Sequence, residues 1–104
     1  MPSYRVTLAV GALHGPADAV LPAARAAAAE LAVLEASDLQ VVRGEARIVV
    51  RFTADDSELA AQVAEHVASV TATAAEITGW RLTERVGGTW VQRSIPPRSG
   101  ETGF

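Results

Sequence analysis

The chain has 104 residues, no cysteine and no lysine, and its nine arginines face twelve acidic residues for a formal net charge of −3. That length fits one domain with a single core, in which alanine is a large share of the 49% hydrophobic residues and the bulkier side chains must supply most of the burial free energy. The composition excludes disulfides, thiolate nucleophiles, Fe–S clusters and zinc-cysteine sites. It also argues against charge-driven adhesion to nucleic acid or anionic membrane, and no run of about 18 apolar residues offers a membrane-spanning helix.

The segment Met1-Pro2-Ser3-Tyr4-Arg5 lacks a charged region followed by an apolar signal core, so a cytoplasmic location is expected. Tyr4, Val6, Leu8 and Val10 then alternate with Arg5, Thr7 and Ala9, the period-two mark of a half-buried strand. Gly11 to Pro16 breaks that pattern with two glycines and a proline. From about Ala17 the periodicity is helical, with Leu21, Ala24, Ala28 and Leu31 on one stripe and Pro22 near the first turn.

Ser37 and Asp38 read as turn residues. Two strand-like runs follow, Leu39 to Val42 and Ala46 to Phe52, around a three-residue connection Arg43-Gly44-Glu45. Asp55 with Glu58 three positions later resembles a capping box. The helix it opens carries Leu59, Val63, Val67 and Val70 on one stripe, and Gly79 is its expected stop. Trp80, Leu82 and Val86 then oppose Arg81, Thr83 and Arg85 in a further strand, and Gly87-Gly88 is a tight-turn signal that returns Thr89 to Gln92 as an extra hairpin strand. The expected organisation is one domain over residues 1–94 and a flexible C-terminal tail over 95–104, unless Phe104 docks.

The order strand, helix, strand, strand, helix, strand predicts an α+β ferredoxin-like βαββαβ sandwich, an antiparallel sheet with two helices on one face. Right-handed crossovers place the first and third strands side by side at its centre. The strand phases then put Arg5, Arg47, Arg51, Arg81 and Arg85 together on the uncovered face. Arginine there suits bidentate recognition of carboxylate or phosphate. A solvated face with arginines pairing to Glu45 or Glu84 is the plainer alternative, and arginine without lysine is also what a GC-rich genome produces. RNA binding is disfavoured, because Tyr4, Phe52 and Trp80 fall on the core phase and leave no stacking platform.

The loop Gly11-Ala-Leu-His-Gly-Pro16 precedes the first helix, where backbone N–H groups could hold an anion, though it matches no phosphate-loop pattern. Val6 to Val10 running into Gly15-Pro16, then helix, hairpin and second helix, resembles an ACT-type regulatory domain over roughly residues 4 to 86. That resemblance implies a small effector bound where the first strand meets the first helix, at Gly11, His14 and Gly15. The chain departs from it in having Leu13-His14 where such loops carry an aspartate before the glycine.

His66 borders the second helix's apolar stripe and reads as a packing residue, while His14 is the better acid–base candidate. With no Ser-His-Asp or metal-ligand constellation in the sequence, no catalytic residue, metal or cofactor is assigned. Trp90 is an interface anchor if exposed and a core residue if the last hairpin folds back. The expectation is therefore a non-catalytic binding or assembly module, homodimeric through the uncovered face or the last hairpin, with a small anionic ligand or a protein as further partner. The alternatives are an ACT-like effector-binding domain and a small dimeric α+β-barrel enzyme.

Overall fold

A computed structural model of the chain describes residues 1–94, so the expectations for the tail and for Phe104 lie outside the described residues. The alternation that begins at Tyr4 forms strand β1, Ser3–Leu13, which continues through Gly11 rather than stopping at it. A short 3-10 turn, Ala17–Ala19, leads into helix α1, Val20–Leu31. Strands β2, Val33–Val42, and β3, Glu45–Thr53, follow as a hairpin. Helix α2, Ser57–Thr71, precedes strands β4, Ala75–Val86, and β5, Thr89–Ser94.

The five strands make one antiparallel sheet in the order β2-β3-β1-β4-β5. The two helices pack on each other, α1 against β2 and β3 and α2 against β4 and β1, covering one face of the sheet. The molecule is thus α+β, with β1 and β3 adjacent and β1 central, as right-handed crossovers predicted. Under the helices lie Tyr4, Val6 and Leu8 of β1, Ile48, Val50 and Phe52 of β3, and Leu82 of β4, all essentially buried. Tyr4 stands opposite Phe52 in the register, with ring centroids 6.0 Å apart. Such aromatic cross-strand pairs contribute about 0.2–1 kcal/mol beyond alanine pairs.

Alanine sets the spacing of the layers. Ala24, Ala27 and Ala28 of α1 and Ala60, Ala64 and Ala68 of α2 are buried, which lets the helices approach each other and the sheet closely. The α1 stripe is rotated from the expected one: Val20 and Ala27 join it, while Leu31 at the last turn is exposed. On α2 the expected stripe holds, with Val63 and Val67 buried and Leu59 and Val70 packed at its border.

Four local expectations are corrected. The α2 cap is Asp56, not Asp55: its carboxylate accepts from the Leu59 N–H at 2.8 Å, and the residue three positions on is a leucine that cannot reciprocate. The β2–β3 connection has two residues, Arg43 and Gly44, both at positive φ (54° and 81°), because primed turns match the twist of the flanking strands. Ser37 and Asp38 lie inside β2 opposite Val50 and Val49, so pairing to β3 overrides their turn preference, and a bulge at Glu35 absorbs the extra residue. Finally, α2 ends at Thr71 and Gly79 lies within β4, beside a register shift at Thr78. The β-branched residues Ile77 and Thr78, which weaken a helix, belong to the strand.

Candidate functional site

Side chains alternate across a strand, so the ladder registers decide which residues share the uncovered face. Arg5 stands opposite Arg51, Ala9 opposite Arg47, and Thr7 opposite both Val49 and Arg81. Arg85 shares the phase of Arg81 and Thr83. All five strand arginines therefore lie on the face the helices leave open, as their phases predicted.

The same registers bring to this face residues that the sequence alone did not place there. Gly87 and Gly88 make a two-residue turn at positive φ, which pairs Val86 with Thr89 and Arg85 with Trp90. Trp90 is thereby committed to the arginine face, and its ring lies 4.5 Å from the Arg5 guanidinium carbon. Its side was readable from the length of the Gly-Gly turn, which fixes strand parity. Asp38 pairs with Val49 on this face, and the bulged Glu35 turns its carboxylate toward Ser3 and Arg51.

The charges do not balance locally. Arg47 Nε donates to Glu45 Oε1 at 3.0 Å, the pairing the sequence suggested. Glu84, the other expected partner, instead binds Arg93 at 2.7 Å. Arg51 Nε lies 3.6 Å from Glu35 Oε1, near enough for Coulomb attraction but too far for a hydrogen bond. Among the described residues Arg5 and Arg81 have no carboxylate within ion-pairing distance. The Nε groups of Arg5 and Arg51 are buried without an acceptor.

Burial lowers the Arg5 pKa from its ordinary value, and the neighbouring charges of Arg81 and Arg51 lower it further. A guanidinium so placed stays protonated, so the stress is carried as free energy rather than relieved by proton loss. Trp90 offsets part of it, since a cation over an indole gains about 0.5–2 kcal/mol. Two shallow depressions open here. One, about 150 Å³, lies among Arg5, Arg51, Val49, Asp38 and Trp90. The other, about 290 Å³, lies among Thr7, Arg47, Arg81 and Gln92.

The β1–α1 loop is a separate place. Gly11 lies within β1, where its missing Cβ makes room for the Glu76 carboxylate, which also accepts from the Ala12 N–H at 3.3 Å. His14 is exposed and its backbone N–H is taken by Ala74 O at 2.9 Å, and Gly15 has open space around it. Arg5 and Leu13 are eight strand residues apart, roughly 26 Å at about 3.3 Å per residue, so the Arg5–Arg51 pair and this loop do not form one site. Arg47, opposite Ala9, lies four residues from Leu13, roughly 13 Å. An apolar groove of about 500 Å³ opens between α1 and the sheet, lined by Gly11 but by neither His14 nor Gly15. His66 Nε2 is 2.8 Å from Glu30 Oε1, so it ties α2 to α1 in addition to packing. Among the described residues no group of three or more histidines, cysteines or acids is arranged to hold a metal, and no helix is long and apolar enough to cross a membrane.

Comparison with protein-family models, with curated proteins and with solved structures finds no match to this chain.

Proposed function

We propose that the chain is a non-catalytic binding module that holds an anionic group of a ligand or partner on its open sheet face. The observation that carries this reading is the unbalanced cluster of Arg5, Arg51 and Arg81, with two buried Nε donors lacking acceptors. A carboxylate or phosphate oxygen admitted between Arg5 and Arg51 by a rotation of their side chains would satisfy both donors and screen the repulsion. The fold behind it is read as a ferredoxin-like sandwich with a fifth strand added beyond β4. That reading is supported by the central β3-β1-β4 arrangement and the two helices on one face.

Face-to-face pairing of two copies through this surface is the weaker reading, because a two-fold axis there would bring the arginine cluster of one copy against that of the other. An effector at Gly11, His14 and Gly15 is likewise weaker, since only Gly11 borders the nearby groove. A barrel enzyme using His14 or His66 gains no support from their positions, one exposed in a loop and the other paired with Glu30.

The reading is tested by thermal denaturation with inorganic phosphate and with succinate at constant ionic strength. A ligand bound only by the folded chain at 100 times its dissociation constant adds about 2.7 kcal/mol of stability. Stabilisation that disappears in Arg5→Ala and Arg51→Met supports the site. No stabilisation by either anion, or equal stabilisation of both variants, counts against it.

A further inference from the structure

Three of the exposed bulky apolar side chains fall on one edge strand, while Met1, Val86 and Val91 are exposed elsewhere. Val33, Leu39 and Val41 lie on the edge strand β2, at 62%, 53% and 70% exposure. Leu13, across the apolar groove from Leu39, is exposed as well, whereas Val33 pairs with Thr53 on the open face. Leu39 pairs with Ile48 and Val41 with Ala46, which places both on the helix side of the sheet. There α1 leaves them uncovered, and the groove of about 500 Å³ opens directly next to them between Leu39, Ile48, Val20 and Leu21.

The backbone of this edge is equally open. The two-residue turn makes Val42 and Glu45 a hydrogen-bonded pair, so alternate residues counting back, Gln40 and Asp38, also direct their N–H and C=O groups to β3. Those of Val41, Leu39 and Ser37 therefore point outward, away from the sheet. Edge strands are ordinarily guarded by charged side chains, proline, bulges, brevity or a covering element, and β2 carries a bulge at Glu35 and a charge at Asp38, both ahead of Leu39. From Leu39 to Val42 the sequence Leu-Gln-Val-Val has none of these guards. The opposite edge, β5, is shorter and carries Gln92 and Arg93.

We infer that β2 is the pairing surface for a second copy of this chain, joined edge to edge in antiparallel register into one ten-stranded sheet. A two-fold axis at Gln40 sets Leu39 opposite the partner's Val41, so the outward backbone groups of both strands bond each other. An axis at Asp38 would set like charges face to face, and one at Leu39 would set Val41 opposite the polar side chain of the partner's Ser37. Because the axis is perpendicular to the sheet, both pairs of helices lie on the same side, and the two apolar grooves close against the partner's Leu39 and Val41. A specific dimer buries on the order of 1,200–2,000 Å² in total, more than a short edge ladder covers, and the groove walls supply the additional apolar surface. The two arginine faces would then continue one another across the joint, leaving each free for an anion. This pairing stands independently of what the arginine face binds.

Sedimentation of the native chain at micromolar concentration should give twice the 10.8 kDa chain mass. Val41→Lys should raise the dimer dissociation constant by at least roughly tenfold, about 1.4 kcal/mol. Gln40→Cys provides a second readout, because Gln40 faces its own copy as a non-hydrogen-bonded pair, with Cα atoms about 4.5 Å apart, within disulfide range. In a chain without other cysteines, mild oxidation should cross-link it quantitatively, while Glu65→Cys on the exposed side of α2 should remain uncross-linked. A monomeric native chain, a dimer indifferent to Val41→Lys, or a Gln40→Cys variant that cross-links no faster than Glu65→Cys would overturn the inference. So would a monomer whose groove takes up an apolar fluorescent probe, which would assign the groove to a small ligand. If Val41→Lys does not fold, the cross-linking comparison decides alone.

Discussion

Replacing Arg51 by methionine should stabilise the free protein. Arg51 stands directly opposite Arg5, and like charges so placed cost about 0.2–1 kcal/mol. Its buried Nε lacks an acceptor, a deficit of about 1–3 kcal/mol when complete. Against these stands the 3.6 Å ion pair with Glu35, whose side chains are 42% and 32% exposed, so solvent screening holds its worth to about 0–1 kcal/mol. Methionine keeps most of the apolar stem that arginine lays along the sheet. The balance favours the variant by about 1 kcal/mol, a shift of about 0.5 M in urea midpoint at an m-value near 2 kcal/mol/M. Equilibrium urea denaturation followed by far-UV circular dichroism measures it, with an unchanged slope as the check on two-state behaviour. Loss of about 1 kcal/mol or more in Arg51→Met would refute the reasoning, because it would make this arginine a structural tie rather than a group kept for a ligand.

Other outcomes follow from the fold. Asp56→Ala should lower stability by about 1 kcal/mol and the melting temperature by about 4–8 °C, while Asp55→Ala stays within about 0.5 kcal/mol of the native chain in the same thermal scan. Tyr4 is buried, and burial, followed by the charges of Glu84 and Asp56, raises its pKa above the ordinary 10.0. Its contribution is therefore fully present below about pH 10 and is lost as pH rises through the raised folded value. Tyr4→Phe should flatten that alkaline decline in urea titrations from pH 9 to 11, and a decline identical to the native one would remove Tyr4 as its cause. Ala28→Leu should cost about 1–3 kcal/mol by urea denaturation, since the close approach of α1 leaves no room for a larger side chain.

The arginine face was legible because a strand has the simplest of periods. Once Val6 and Leu8 of β1 and Ile48 and Val50 of β3 are taken as core, the positions of Arg5, Arg47 and Arg51 have no freedom left. The ends of elements were less legible because pairing decides them. Ser37 and Asp38 have turn chemistry, but β3 offers them a ladder, and Gly79 looks like a stop although β1 runs beside it. Asp55 and Asp56 are equivalent in composition, and only the path of the chain chooses which carboxylate reaches the Leu59 N–H. The missing acceptors at Arg5 and Arg51 and the open groove beside β2 are properties of three-dimensional packing, with no counterpart in periodicity or spacing.

The central claim concerns particular nitrogen atoms, and arginine Nε–Hε resonances report on them directly. In a phosphate titration at fixed ionic strength, followed by proton–nitrogen correlation spectra, the Nε–Hε signals of Arg5 and Arg51 should move together and saturate, while that of Arg25 on the exposed side of α1 stays in place. Signals that stay fixed, or that drift equally for all the arginines without saturating, would contradict an anion site on the open face.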